Sequence, residues 1–138
     1  MPSLFVGIDH IGIAVKDLKS AETTYQDTLG FPILGGEELP ERGLEVLFVD
    51  AGNSTLELIG ATRPDSEISA FLEKRGEGIH HICLEVKNIE AAVSSMKERG
   101  AKFAGEKIEE GAHNTRVAFL HPKGSHGVLI ELVEKPQE

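Results

Sequence analysis

At 138 residues the chain is long enough to bury the core of one ordinary domain without disulfides or other staples. A net charge of −9 denies it the positive field that nucleic acid or an anionic membrane surface requires. Cys83 is the sole cysteine, so no intramolecular disulfide can form. The start Met-Pro-Ser-Leu-Phe-Val lacks the basic residues and apolar run of a secretory signal, no segment is apolar enough to span a bilayer, and the expected setting is cytoplasmic.

Ile8 to Val15 is almost wholly apolar and partly β-branched, which predicts a strand covered on both faces. Asp17 then offers an N-cap, and Leu18, Ala21, Tyr25 and Leu29 recur at helical spacing up to Gly30. A short strand is expected around Phe31 to Leu34, followed by a loop through Gly35, Gly36 and Pro40. Leu44 to Asp50 and Thr55 to Ile59 read as a hairpin turning at Gly52-Asn53. Pro64 and Asp65 lead into a short amphipathic helix, Ile68 to Lys74, and Arg75-Gly76-Glu77-Gly78 forms a hinge.

The second half repeats the first. A strand from Ile79 to Val86 precedes an Asn88 cap, a helix with Ile89, Val93 and Met96 on one face, and Gly100 at its end. Strands follow near Lys102 to Ala104, Thr115 to Leu120 and Gly127 to Val133, with the acidic run Glu106 to Glu110 expected as a solvated loop. Sliding the chain by 71 residues lays Ile8 on Ile79, His10 on His81, Ile11 on Ile82, Val15 on Val86, Lys16 on Lys87 and Ala21 on Ala92. Six identities in fourteen positions indicate duplication. The chain is therefore read as a single domain over 1–138: one module at about 5–62, a linker helix at about 63–77 and a second module at about 78–136.

Strand parity decides which side chains meet. His10, Gly12 and Ala14 share one face, as do His81, Cys83 and Glu85, while Ile11, Ile13, Val15, Ile82, Leu84 and Val86 turn toward the helices. Each module closes on a strand with a central glutamate, Glu57 between Leu56 and Leu58 and Glu131 between Ile130 and Leu132. Two imidazoles and two carboxylates suit a divalent cation, and carboxylates on an apolar strand face cost several kcal/mol unless paired or bound to one. A salt-linked polar core is the plain alternative. By parity His80 points away and reads as structural, and Cys83 reads as a small residue lining the site rather than a thiolate ligand.

Asp9-His10-Ile11-Gly12-Ile13-Ala14-Val15, Gly78-Ile79-His80-His81-Ile82-Cys83, Gly111-Ala112-His113, and Phe119-Leu120-His121-Pro122-Lys123 with Gly127-Val128-Leu129-Ile130-Glu131-Leu132 resemble the methylmalonyl-CoA epimerase branch of the vicinal oxygen chelate (glyoxalase/bleomycin resistance/dioxygenase) superfamily. The resemblance spans nearly the whole chain. It implies an α+β fold in which two tandem βαβββ modules form a curved mixed-sheet cup around a metal site held by His10, Glu57, His81 and Glu131. It also implies an isomerase that inverts C2 of methylmalonyl-CoA by proton abstraction and reprotonation through a metal-stabilised enolate. Two proton-transfer groups on opposite sides of C2 are then required.

Glu131 or Glu57 is the candidate base, and His113 or a metal-bound water the candidate for the other side. Some family members carry a catalytic glutamate three residues after the Gly of a Glu-x-Gly stretch. In Glu41-Arg42-Gly43 that count lands on Val46, and Glu45, one position short, should face the other way. Lys123 and Arg116 are candidate contacts for the coenzyme A phosphates. The metal is open among Co²⁺, Zn²⁺, Ni²⁺, Mn²⁺ and Mg²⁺, with Co²⁺ favoured by the resemblance, and a homodimer is expected. A glyoxalase I-type lactoylglutathione lyase shares the ligand set and is the nearest rival. A non-enzymatic ligand-binding member would not need the full set, and a ring-cleaving dioxygenase would not need Glu57.

Overall fold

The computed structural model describes residues 4–137, in the element order βαβββ, linker helix, βαβββ. The first module contains β1 (Phe5–Ala14), α1 (Leu18–Thr23), β2 (Ile33–Leu39), β3 (Leu44–Asp50) and β4 (Thr55–Ala61). The linker helix α2 is Glu67–Arg75. The second module contains β5 (Gly78–Val86), α3 (Ile89–Glu98), β6 (Phe103–Glu110), β7 (Arg116–Leu120) and β8 (Ile130–Glu134). The described chain forms two compact units, His10–His80 and the remainder. No described helix is long and apolar enough to cross a membrane.

Within His10–His80, β1 runs parallel to β4, and β4, β3 and β2 are antiparallel neighbours. The caps form as the sequence predicts: Asp17 accepts from the amides of Lys19 and Ser20 at 3.1 and 3.2 Å. Gly52 turns the β3–β4 hairpin in the left-handed region, and its amide donates to Asp50 at 2.8 Å. Two expectations change. The periodic run from Leu18 is α-helical only to Thr23 and continues as a π-turn over Thr24–Thr28. β2 extends through Gly35 and Gly36 to Leu39, because a register shift between Ile33 and Gly35 lets the glycines stay in the sheet.

The two faces of this half are covered differently. On the face carrying Gly60 and Glu45 lies α1: a Cβ added at Gly60 would sit 3.5 Å from Leu18 Cβ and 3.3 Å from Glu45 Oε1. On the other face Ala14, Leu44, Val46 and Ile59 pack against Ile68, Phe71 and Leu72 of α2. His80 packs against the linker helix. Its ring meets Phe71 edge-on with centroids 5.0 Å apart, and the Arg75 guanidinium lies over the Phe71 ring.

In the other unit β5 is parallel to β8, followed by antiparallel β7 and β6. Asn88 caps α3 by accepting from the Ala91 amide at 2.9 Å, and Glu134 accepts from the Ile89 amide at 2.8 Å. Ile89 and Ala92 pack on Val86, Ala118 and Leu132, which all share the face of Leu84. The opposite face carries a separate cluster of Cys83, Val117 and Val133 with Phe119. The acidic run is not a loop. Glu109 and Glu110 pair with Val117 and Arg116 in β6, an edge strand whose register shifts after Ala104, so charge there is solvated without leaving the sheet.

Candidate functional site

Each unit holds a histidine–carboxylate pair. His10 on β1 and Glu57 on β4 come together because Gly12 is Glu57's register partner and His10 lies two residues earlier on the same face. Nδ1 of His10 is 3.1 Å from Oε2 of Glu57. In the other unit Cys83 is the partner of Glu131, His81 precedes it by two, and Nε2 of His81 is 3.3 Å from Oε1 of Glu131. Both histidines are 8% exposed. The glutamate side chains are 19% and 14% exposed, so each carboxylate is largely withdrawn from water beside an imidazole.

The registers add a feature that the motifs did not flag. Across the strands Glu57 lies between Gly12 and Phe48, and Glu131 between Cys83 and Phe119. A small residue thus flanks each carboxylate on one side and a phenyl ring on the other, at the spacing where directly opposed side chains touch. The signal was present in the repeat, since 119 − 48 = 71 is the same offset that relates His10 to His81. The rings lower the local dielectric and favour a paired or metal-bound carboxylate over a hydrated one.

Position 46 settles the side of β3. Val46 is the partner of Ile59 and sits in the cluster beneath α2, on the face of Glu57. Glu45 pairs with Gly60 and Glu38 and faces α1. No carboxylate therefore occupies the Val46 position on the face of His10 and Glu57.

The remaining candidates are scattered. His113 is exposed in the turn between β6 and β7, with left-handed backbone at φ 57°. Lys123 is exposed in the 3₁₀ turn Pro122–Ser125, where its amide donates to His121 Nδ1. Arg116 is engaged locally: Nη1 lies 2.8 Å from Glu90 and 3.7 Å from Glu134. The hydrogen bond with Glu90 raises the guanidinium's pKa and lowers that of the Glu90 carboxyl. Lys135 escaped the sequence reading. Its ammonium is 2.7 Å from Asp9 and 3.6 Å from Glu85, and the bond to Asp9 lifts its pKa above the ordinary lysine value. Only its position just beyond a glutamate-bearing strand could have drawn attention to it.

Residues 9–119 match the family model described as the glyoxalase/bleomycin resistance protein/dioxygenase superfamily. The human mitochondrial methylmalonyl-CoA epimerase is 44% identical over 126 residues, 91% of this chain and 72% of that protein. The chain belongs to the methylmalonyl-CoA epimerase family. The crystal structure of the Mycobacterium tuberculosis family member superposes with a TM-score of 0.90 at 34% identity, covering 99% of this chain and 93% of that one. A Streptomyces coelicolor member, solved as a glutamate-to-glutamine variant in complex with 2-nitronate-propionyl-CoA, gives 0.85 at 34% identity, covering 96% and 99%. The family fold is the vicinal oxygen chelate fold, so the duplicated module of this chain is that of the superfamily.

Proposed function

We propose that the protein is a divalent-metal-dependent isomerase that interconverts the C2 epimers of methylmalonyl-CoA, with His10, Glu57, His81 and Glu131 as ligands of one cation. The observation that carries this reading is the repeated buried histidine–carboxylate pair in a chain of this family. The donor set fits the group: neutral imidazole nitrogens and anionic oxygens suit a borderline or hard cation, and each carboxylate already has its imidazole partner. When bound, the cation supplies Lewis-acid polarisation of the thioester carbonyl.

The chain's own residues supply the rest. Glu131, or Glu57 in its place, takes the C2 proton, and His113 returns one from the opposite side, so one C–H bond breaks and another forms with inverted configuration. Phe48 and Phe119 exclude water beside the carboxylates. Lys123 is the phosphate contact of the two proposed cations, because Arg116 is already paired with Glu90 and Glu134. Co²⁺ is the proposed metal, cytoplasm the proposed location, and a homodimer the proposed assembly. Exposed Phe5, Val6 and Ile8 on β1 offer apolar surface for the dimer contact.

Deuterium wash-in at C2 of methylmalonyl-CoA, with and without a chelator, tests the proposal. Metal-dependent wash-in with inversion is expected. Inversion that survives verified removal of all metal would refute the metal reading, and activity on the glutathione hemithioacetal instead would favour the lyase.

A further inference from the structure

The turn that carries His113 has a strained geometry and a definite seat. His113 and its neighbour Asn114 both adopt left-handed backbone, at φ 57° and 62°, a region that apart from glycine is entered mainly by asparagine, aspartate and histidine. The turn is closed by a hydrogen bond from the Gly111 amide to the Thr115 carbonyl at 2.9 Å. Gly111 leaves no room for a side chain, since an added Cβ would lie 2.6 Å from Thr115 Oγ1 and 3.0 Å from Val117 Cγ1. The turn therefore rests on Val117. By register Val117 opposes Val133 and Phe119 opposes Glu131, so the seat lies on the face of the β7–β8 pair that carries Glu131, away from α3.

We infer that Asn114 is a positioning residue: its left-handed backbone holds the Gly111–Thr115 turn against the ligand-bearing face and thereby sets where His113 delivers its proton. Asparagine tolerates this conformation where alanine or a β-branched residue does not. Replacing it shifts the turn's population toward arrangements in which His113 is misplaced, while Glu131 and the metal ligands stay as they are. The inference rests on the reading of His113 as the second proton-transfer group, and the test separates the two.

The test compares metal-loaded wild type with His113→Ala, Asn114→Ala, Asn114→Val and Asn114→Gly. Inversion and deuterium wash-in are followed from each C2 epimer, with bound metal measured in the same samples. With one proton group misplaced, the other still exchanges the proton of one epimer without inverting it. Asn114→Ala and Asn114→Val should slow inversion about fivefold or more, the population ratio for the usual left-handed penalty, and raise the ratio of exchange to inversion for one epimer. Asn114→Gly, which accepts the left-handed backbone freely, should restore the wild-type ratio.

A merely structural role would slow exchange and inversion together. If His113→Ala inverts substrate at the wild-type rate, the reading of His113 falls and the inference with it. If His113→Ala is impaired but both Asn114→Ala and Asn114→Val keep the wild-type ratio, the inference alone fails. An Asn114→Gly variant as defective as Asn114→Ala overturns it too, because the side chain rather than the backbone would then matter.

Discussion

Glu45→Gln isolates the parity of β3. Its register partners are Gly60 and Glu38, its carboxyl lies over the bare Cα of Gly60 beside Leu18, and the residue presented to the face of Glu57 is Val46. A one-residue offset in a strand turns the side chain through roughly half a revolution, so Glu45 stands on the helix side of the sheet. Neutralising it removes no proton-transfer group from the ligand-bearing face. Turnover should fall by less than about tenfold, against the 10² to 10⁴ typical for loss of a general base. Glu131→Gln, assayed in parallel, should fall in that larger range. Metal content must be measured alongside, because Glu131 is also a proposed ligand. Inversion of methylmalonyl-CoA with elemental analysis and a melting curve on each variant decides the matter. A Glu45→Gln protein that keeps its metal and melting temperature but loses about a thousandfold in turnover would refute the assignment of faces, and a local bulge re-aiming Glu45 would have to replace it.

His10→Ala and His81→Ala should abolish tight binding of a divalent cation in calorimetric titration, whereas Glu57→Gln should weaken it less, because an amide oxygen still coordinates. Equal losses in all three would contradict that ranking. Leu132, fully buried beneath α3, should cost about 2–5 kcal/mol when changed to alanine, read as a lower urea midpoint at unchanged slope. The Glu90 carboxyl is held down by Arg116, so its contribution to stability is present above the ordinary carboxylate pKa and lost as pH falls through the lowered one. NMR titration should find its midpoint low in wild type and shifted upward in Arg116→Ala; an unchanged midpoint would deny the coupling. Val6→Asp should raise the monomer fraction in sedimentation velocity if β1 forms the proposed dimer contact.

Much of the fold was legible because period and punctuation agree. Asp17, Asn88, Gly30 and Gly100 bracket helical patterns, and the β-branched runs at Ile8 and Ile79 read as strands. The pairing of His10 with Glu57 and of His81 with Glu131 followed from duplication plus parity, which need no knowledge of loops. What was missed depends on neighbours distant in sequence. β6 looked like a solvated loop because an edge strand with exposed glutamates has the composition of one. The π-turn after Thr23 has no periodic signature of its own. α2 was recognisable as amphipathic, but nothing in Ile68, Phe71 or Leu72 says that it covers the ligand-bearing side of β3 and β4 rather than the side taken by α1. The left-handed pair at His113 and Asn114 was equally silent, since no periodicity marks a single turn of this kind.

The duplicated halves cover their histidine- and glutamate-bearing faces with unlike pieces. One is roofed by α2, nine residues anchored through Ile68 at 1% exposure; the other carries a five-residue turn closed by the hydrogen bond from the Gly111 amide to the Thr115 carbonyl. These coverings differ in what must be broken to lift them. Raising α2 exposes a cluster of aliphatic and aromatic side chains, whereas in the Gly111–Thr115 turn Gly111 and Thr115 are half-buried and His113 and Asn114 exposed. Amide exchange should accordingly be slow along α2 and fast across the turn. Duplication has thus left the two halves with the same strand order but with coverings that open at unequal cost.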